Sequence, residues 1–298
     1  MPWESVTSVQ IPNGESIAFR ERTGGDESIL LLHGNLASSL HWDVLAEAID
    51  DRFSLYALDL RGFGESSYNG EFDSLKALAD DVVQFTEQVD LDTYHLLGWS
   101  AGAGVAMQVA ADVPHAVERL VLLAPPSSQG LPVYRKDDAG EPTDEVLTTR
   151  EELEADPVSV APVLDALERN DAEAMRQTWE RAIYIHDRPE PARFEAYVQE
   201  SLKTRCYLDV AYALVHFNIS REANGIEPGT GEVDRIEAPT LVLRGEDDEV
   251  VPEKLVRRAA TDIGTAEYVE LENCGHAPMI DDLDGLLGRV EPFLTVDG

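Results

Sequence analysis

The chain has 298 residues, 43% of them hydrophobic, enough for one large α/β domain with a buried core. Its 58 acidic residues against 23 basic ones give a formal charge of −35, which disfavours binding to nucleic acid or an anionic membrane because such a surface repels phosphates. Only four of the basic residues are lysines (Lys76, Lys136, Lys203, Lys254) and the acids are spread along the whole chain, so the composition predicts a protein that works in molar salt, where screening removes the self-repulsion.

The N-terminal "MPWESVTSVQ" has no basic-then-apolar leader, and no apolar run approaches a membrane span. Cys206 and Cys274 make neither a disulfide framework nor a C-x-x-C motif. A soluble cytoplasmic protein is the expectation.

In chain order, "ESVTSVQI" and "SIAFRER" read as strands joined by a turn at Asn13-Gly14. "SILLLHG" is a short apolar run that suits a buried strand, "HWDVLAEAID" has helical spacing, and "FSLYALDL" is a second buried strand. "SLKALADDVVQFTEQV" reads as an amphipathic helix with Ser74 at its N-cap. Strand "TYHLL", helix "AGVAMQVAADV" and strand "VERLVLLAPP" follow. From Ser127 to Ile236 no strong buried strand is expected; the segment is acidic, loop-rich at first and then helical. Strand–helix alternation resumes at "APTLVLRGEDD", with helix "PEKLVRRAATDI", strand "TAEYVELENCGH" and a last helix from about Asp281. The expected fold is α/β: a mostly parallel central sheet with helices on both faces, residues 1–126 and 237–298, interrupted by a helical cap over 127–236. Ligands of open α/β sheets bind beyond the carboxyl ends of the strands, where this insertion begins.

"LLGWSAGAG" places Ser100 between two glycines at a strand-to-helix junction. A serine hydroxyl needs an adjacent base to become a nucleophile. Of seven histidines, His276 in "NCGHAP" stands after the last strand, on the same sheet edge as Ser100. An acid must fix the imidazole, and "RGEDDEVVP" supplies several at another strand end. The oxyanion of an acyl intermediate needs preorganised donors: the backbone N–H of Ala101 at the first helical turn, and that of Asn35 in "HGN".

With these motifs in hand the chain resembles the α/β-hydrolase family over nearly its full length: "HGN" at His33–Asn35, "DLRGFGES" at Asp59–Ser66, "GWSAG" at Gly98–Gly102, "GEDDEVVP" at Gly245–Pro252 and "CGHAP" at Cys274–Pro278, with Ser, acid and His in the order of that fold. The resemblance implies the acid at Asp248, with Asp247 as runner-up, and a Ser100–Asp248–His276 triad that cleaves carboxylic esters through an acyl-enzyme. A serine at this position argues against epoxide or halide chemistry, for which an aspartate nucleophile is usual. Such a route needs no metal and no cofactor, and its partner is a small or oligomeric ester. "HGNLASSLHWDVL", "DLRGFGESSYN", "GWSAGAGVAMQ" and "ALVHFNIS" further resemble intracellular polyhydroxybutyrate depolymerases of bacilli, which implies short-chain 3-hydroxyacid esters as substrates. Trp99, Trp179, Tyr184 and Phe217 are candidates to line the acyl pocket, with helix packing as the alternative. His33 is expected to support the oxyanion turn. Two other readings stay open: C–C bond hydrolysis, perhydrolysis or lactone cleavage on the same triad, and a receptor that binds without turnover.

Overall fold

The computed structural model describes residue 3, residues 5–137 and residues 139–295. Among the described residues ten strands are formed: β1 (Thr7–Gln10), β2 (Ser16–Arg22), β3 (Glu27–Leu32), β4 (Phe53–Leu58), β5 (Tyr94–Trp99), β6 (Val117–Leu123), β7 (Tyr134–Lys136), β8 (Pro142–Val146), β9 (Thr240–Gly245) and β10 (Ala266–Leu271). Eight make one sheet in the order β1-β2-β4-β3-β5-β6-β9-β10. The pairs from β4 through β10 are parallel, and only β1–β2 and β2–β4 run antiparallel. This is the mostly parallel sheet that the strand–helix alternation predicts.

Alternation along each strand sorts the apolar side chains onto two faces. Leu30, Leu32, Leu96, Leu120, Leu122 and Val242 pack on one side, against helices α2 (Leu75–Gln88), α3 (Ala101–Asp112) and, further along the chain, α9 (Glu253–Asp262). Ile29, Leu31, Leu97, Val121, Leu123, Leu241 and Leu243 pack on the other, against α1 (Asp43–Ala48) and the C-terminal α11 (Leu283–Leu294). Both faces are therefore covered, which is why the central strands read as continuous apolar runs. Ser74 does stand at the N-cap of α2, but its side chain makes no capping bond.

Between β6 and β9 the chain departs in part from expectation. It first forms an antiparallel hairpin, β7–β8, before α4 (Arg150–Glu154), α5 (Ala161–Glu168), α6 (Ala172–Ala182), α7 (Pro191–Ser201) and α8 (Tyr207–His216). The hairpin strands are short, charged and nowhere fully buried, so no apolar alternation announces them. Helix α8 buries Val210, Ala211, Ala213, Leu214 and Val215 nearly all round, which leaves little of the one-sided pattern by which a surface helix is read. A four-residue helix, α10 (Pro278–Asp281), precedes α11. Among the described residues, no helix is long and apolar enough to cross a membrane.

Candidate active site

Strand β5 ends at Trp99, and the next residue, Ser100, adopts φ 54° and ψ −122° before α3 begins. Positive φ is costly for a residue with a side chain, so this turn is held by its surroundings. The flanking glycines are part of the reason. A Cβ on Gly98 would sit 2.5 Å from the Gly102 carbonyl oxygen, and one on Gly102 would sit 2.3 Å from that of Leu32. The Ser100 N–H donates to the Leu123 carbonyl at 2.9 Å, fixing the turn to β6.

His276 and Asp248 come from the turns after β10 and β9, neighbouring strands at the same sheet edge. Asp248 Oδ2 lies 2.9 Å from His276 Nδ1, with both side chains buried. The other oxygen, Oδ1, accepts the backbone N–H groups of Val250 (2.8 Å) and Val251 (3.0 Å). Burial alone would push the Asp248 carboxyl up, but the charge and hydrogen bond of His276, with those two N–H groups, outweigh it and hold the carboxyl below its ordinary value. Asp247 points elsewhere, to His186 Nε2 at 2.9 Å.

Trp99, the residue before Ser100, contacts His276. The indole Nε1 donates to the His276 carbonyl at 2.8 Å, and the two rings lie 5.8 Å apart. No direct hydrogen bond joins the Ser100 hydroxyl to the imidazole among the described residues.

The turn after β3 packs on the serine: a Cβ on Gly34 would stand 3.0 Å from Ser100 Cβ. That brings the Gly34 backbone against Ser100, the residue before Ala101, whose N–H is one of those that α3 leaves without an intrahelical acceptor. The Asn35 side chain is engaged locally, accepting from the Leu36 N–H at 3.1 Å. His33 braces the same turn: its Nδ1 pairs with the Gly34 carbonyl at 2.7 Å and its Nε2 accepts from the Leu60 N–H at 3.0 Å. Asp59 ties the "DLRGFGES" loop to it by accepting from the N–H groups of Ser39 (2.7 Å) and Glu65 (2.9 Å).

Of the four aromatic pocket candidates, Trp99, Trp179 and Tyr184 share one buried cluster, with Trp99 6.2 Å from Trp179 and Trp179 stacked 5.2 Å from Tyr184. Phe217 is separate, packed in the apolar cluster that contains α2 and α3. The polar capacity of Trp99 and Trp179 is already engaged, by His276 and by Ser201 Oγ (3.0 Å). Sequence reading passed over His41, which stacks on Tyr197, whose hydroxyl bonds Asp43. Its signal, a histidine three residues after an N-capping Ser38, departs from the usual Glu or Gln of a capping box.

Residues 27–283 match the model of the α/β hydrolase fold. N-formylmaleamate deformylase of Pseudomonas putida is 36% identical over 117 residues, 39% of this chain, and the match spans less than half (44%) of that relative's length. Pimeloyl-[acyl-carrier protein] methyl ester esterase of Nitrosomonas europaea is 26% identical across 87% of this chain and 92% of its own. The solved structure of an esterase from Rhodococcus sp. ECU1013 superposes with a TM-score of 0.71 at 25% identity, covering 99% of this chain and all (100%) of that one. The chain belongs to the α/β hydrolase fold family.

Proposed function

We propose that this protein hydrolyses carboxylic esters through an acyl-enzyme formed on Ser100. The observation that carries the reading is the buried Asp248–His276 pair, tied by Trp99 to a serine held at positive φ. Ser100 Oγ attacks the ester carbonyl while His276 takes its proton; Asp248 holds the ring and stabilises the charge it gains. The N–H groups of Ala101 and Asn35 receive the oxyanion. His276 then protonates the leaving alcohol, and water, activated by the same ring, releases the acid. The naming of similar proteins as esterases supports ester chemistry.

The finer reading is a short-chain or 3-hydroxyalkanoate acyl group, supported by the sequence stretches around the three turns and in "ALVHFNIS". Residues 127–236 serve as a cap that selects it. Contacts that join this segment to the turns of the site support that role: Ile185 stands against Gly275, His186 pairs with Asp247, and Arg193 bonds Asp43 at 2.9 Å. The acidic composition supports activity in high salt.

The test is Ser100→Ala assayed on 4-nitrophenyl butyrate in molar salt. Hydrolysis is expected to vanish with the circular-dichroism spectrum unchanged, and retained turnover would overturn the assignment. Release of 3-hydroxybutyrate from its short oligomers tests the finer reading.

A further inference from the structure

His41 is the core's contribution to a column of stacked rings. Its imidazole lies 4.3 Å from Tyr197 (planes at 23°) and 5.1 Å from Trp179 (22°), and Trp179 in turn stacks on Tyr184. The other three rings come from the segment between β6 and β9, so His41 sits where that segment meets the turn after His33–Asn35. Through Trp179 and Trp99 the column reaches His276.

The protonation of this ring follows from its contacts. The Ser38 N–H donates to His41 Nδ1 at 3.1 Å, so Nδ1 bears a lone pair and the ring's hydrogen is on Nε2. The edge carrying Nε2–H faces away from that backbone contact. It is buried, and among the described residues no acceptor meets it. A buried donor left unpaired costs about 1–3 kcal/mol, which an incoming acceptor recovers. His33, the other fully buried histidine of the turn, has both nitrogens engaged. Burial also keeps the His41 ring far below its ordinary protonation range, so it remains a single neutral donor.

We infer that His41 Nε2–H is a specificity-determining donor that receives a second oxygen of the substrate, an ether, hydroxyl or carbonyl oxygen beside the scissile ester. This rests on the ester-hydrolase reading above and narrows it to esters with an additional oxygen acceptor in one of their two arms. An isosteric hydrocarbon ester leaves the donor unpaired and is disfavoured for that reason.

Two isosteric pairs test this. The acyl-side pair is 4-nitrophenyl methoxyacetate and 4-nitrophenyl butyrate; the alcohol-side pair is 2-methoxyethyl acetate and butyl acetate. Each kcat/KM is divided by the ester's alkaline hydrolysis rate to remove intrinsic reactivity. The wild type should favour the oxygen-bearing member of one pair by about three- to tenfold, as one neutral hydrogen bond allows. His41→Phe, which keeps a flat ring in the stack, should abolish that preference, chiefly through KM, and the affected pair identifies the arm. His41→Gln, which retains an N–H, should restore part of it. A wild type with no preference in either pair overturns the inference even if the variants fail to fold, as does a preference that survives in a folded His41→Phe. Failure of the wild type to cleave any of the four esters would instead overturn the ester reading itself.

Discussion

The indole Nε1 of Trp99 donates to the backbone carbonyl of His276 at 2.8 Å, so the residue before the serine holds the loop that carries the histidine. Both partners are buried away from bulk solvent. Trp99→Phe therefore strands a buried carbonyl, which costs about 1–3 kcal/mol of stability. It also frees His276 to drift, and displacements of an ångström in an active site lower rates by up to about a hundredfold. The expected result is a lower kcat at nearly constant KM, with a lower thermal midpoint. A variant with wild-type kcat would show that the hydrogen bond does not position the base.

Asp248→Asn and Asp247→Asn separate the two adjacent acids. Asp248 holds His276, whereas Asp247 faces His186 at the surface. The Asp248 change should lower kcat by roughly 10³–10⁴-fold, the scale on which an amide in this position costs a triad its tautomer. The Asp247 change should stay within about twofold. Steady-state kinetics on one nitrophenyl ester decides between them, and a reversed order would move the acid to Asp247.

Gly98→Ala tests the serine turn. Its Cβ would meet the Gly102 carbonyl oxygen at 2.5 Å, backbone against backbone, with nothing flexible to yield. Overpacking of this kind costs about 1–3 kcal/mol or more. Chemical denaturation should show the loss, together with reduced activity as Ser100 is displaced. Unchanged stability would mean that the turn is looser than its dihedral angles imply.

Acid should weaken the fold through His33. Burial pushes its imidazole from 6.5 down to about 4, against the Gly34 hydrogen bond and the charge of Glu200, which both raise it. The unfolded chain binds this proton near 6.5 and the folded one only near 4, so the His33 contribution is complete above pH 6.5. Between those values it declines by about 1.4 kcal/mol per pH unit. Protonation of surface carboxylates relieves repulsion in the same acid range and opposes the trend, so the direct readout is the nuclear magnetic resonance titration of the ring. A His33 midpoint near 6.5 would refute the assignment.

The net charge of −35 predicts that dialysis from molar to low salt unfolds the chain, read by circular dichroism. Many of the ion pairs are surface pairs such as Arg221–Asp234 and Arg257–Glu253, which contribute little against a charge excess of this size. An unchanged spectrum in dilute buffer would count against adaptation to salt.

The sequence alone determined the alternation of apolar strands and helices, because a strand buried on both faces must be apolar throughout, and local composition records that. It also put Ser100, Asp248 and His276 at the ends of separate strands, since turn glycines and motif order are local signals. Hairpin β7–β8 was not legible, because short charged strands with no fully buried residue carry no period. Which of two neighbouring carboxylates, Asp247 or Asp248, meets His276 was not legible in the sequence: the backbone N–H groups of Val250 and Val251 orient Asp248 toward that ring. Tertiary structure alone separated Phe217 from the other aromatics, since side chains far apart in sequence meet only once the sheet assigns each a face. It alone stacked His41 between Tyr197 and Trp179, residues more than a hundred positions away, leaving its Nε2–H without a partner among the described residues; no local pattern encodes a contact that exists only when two distant segments pack.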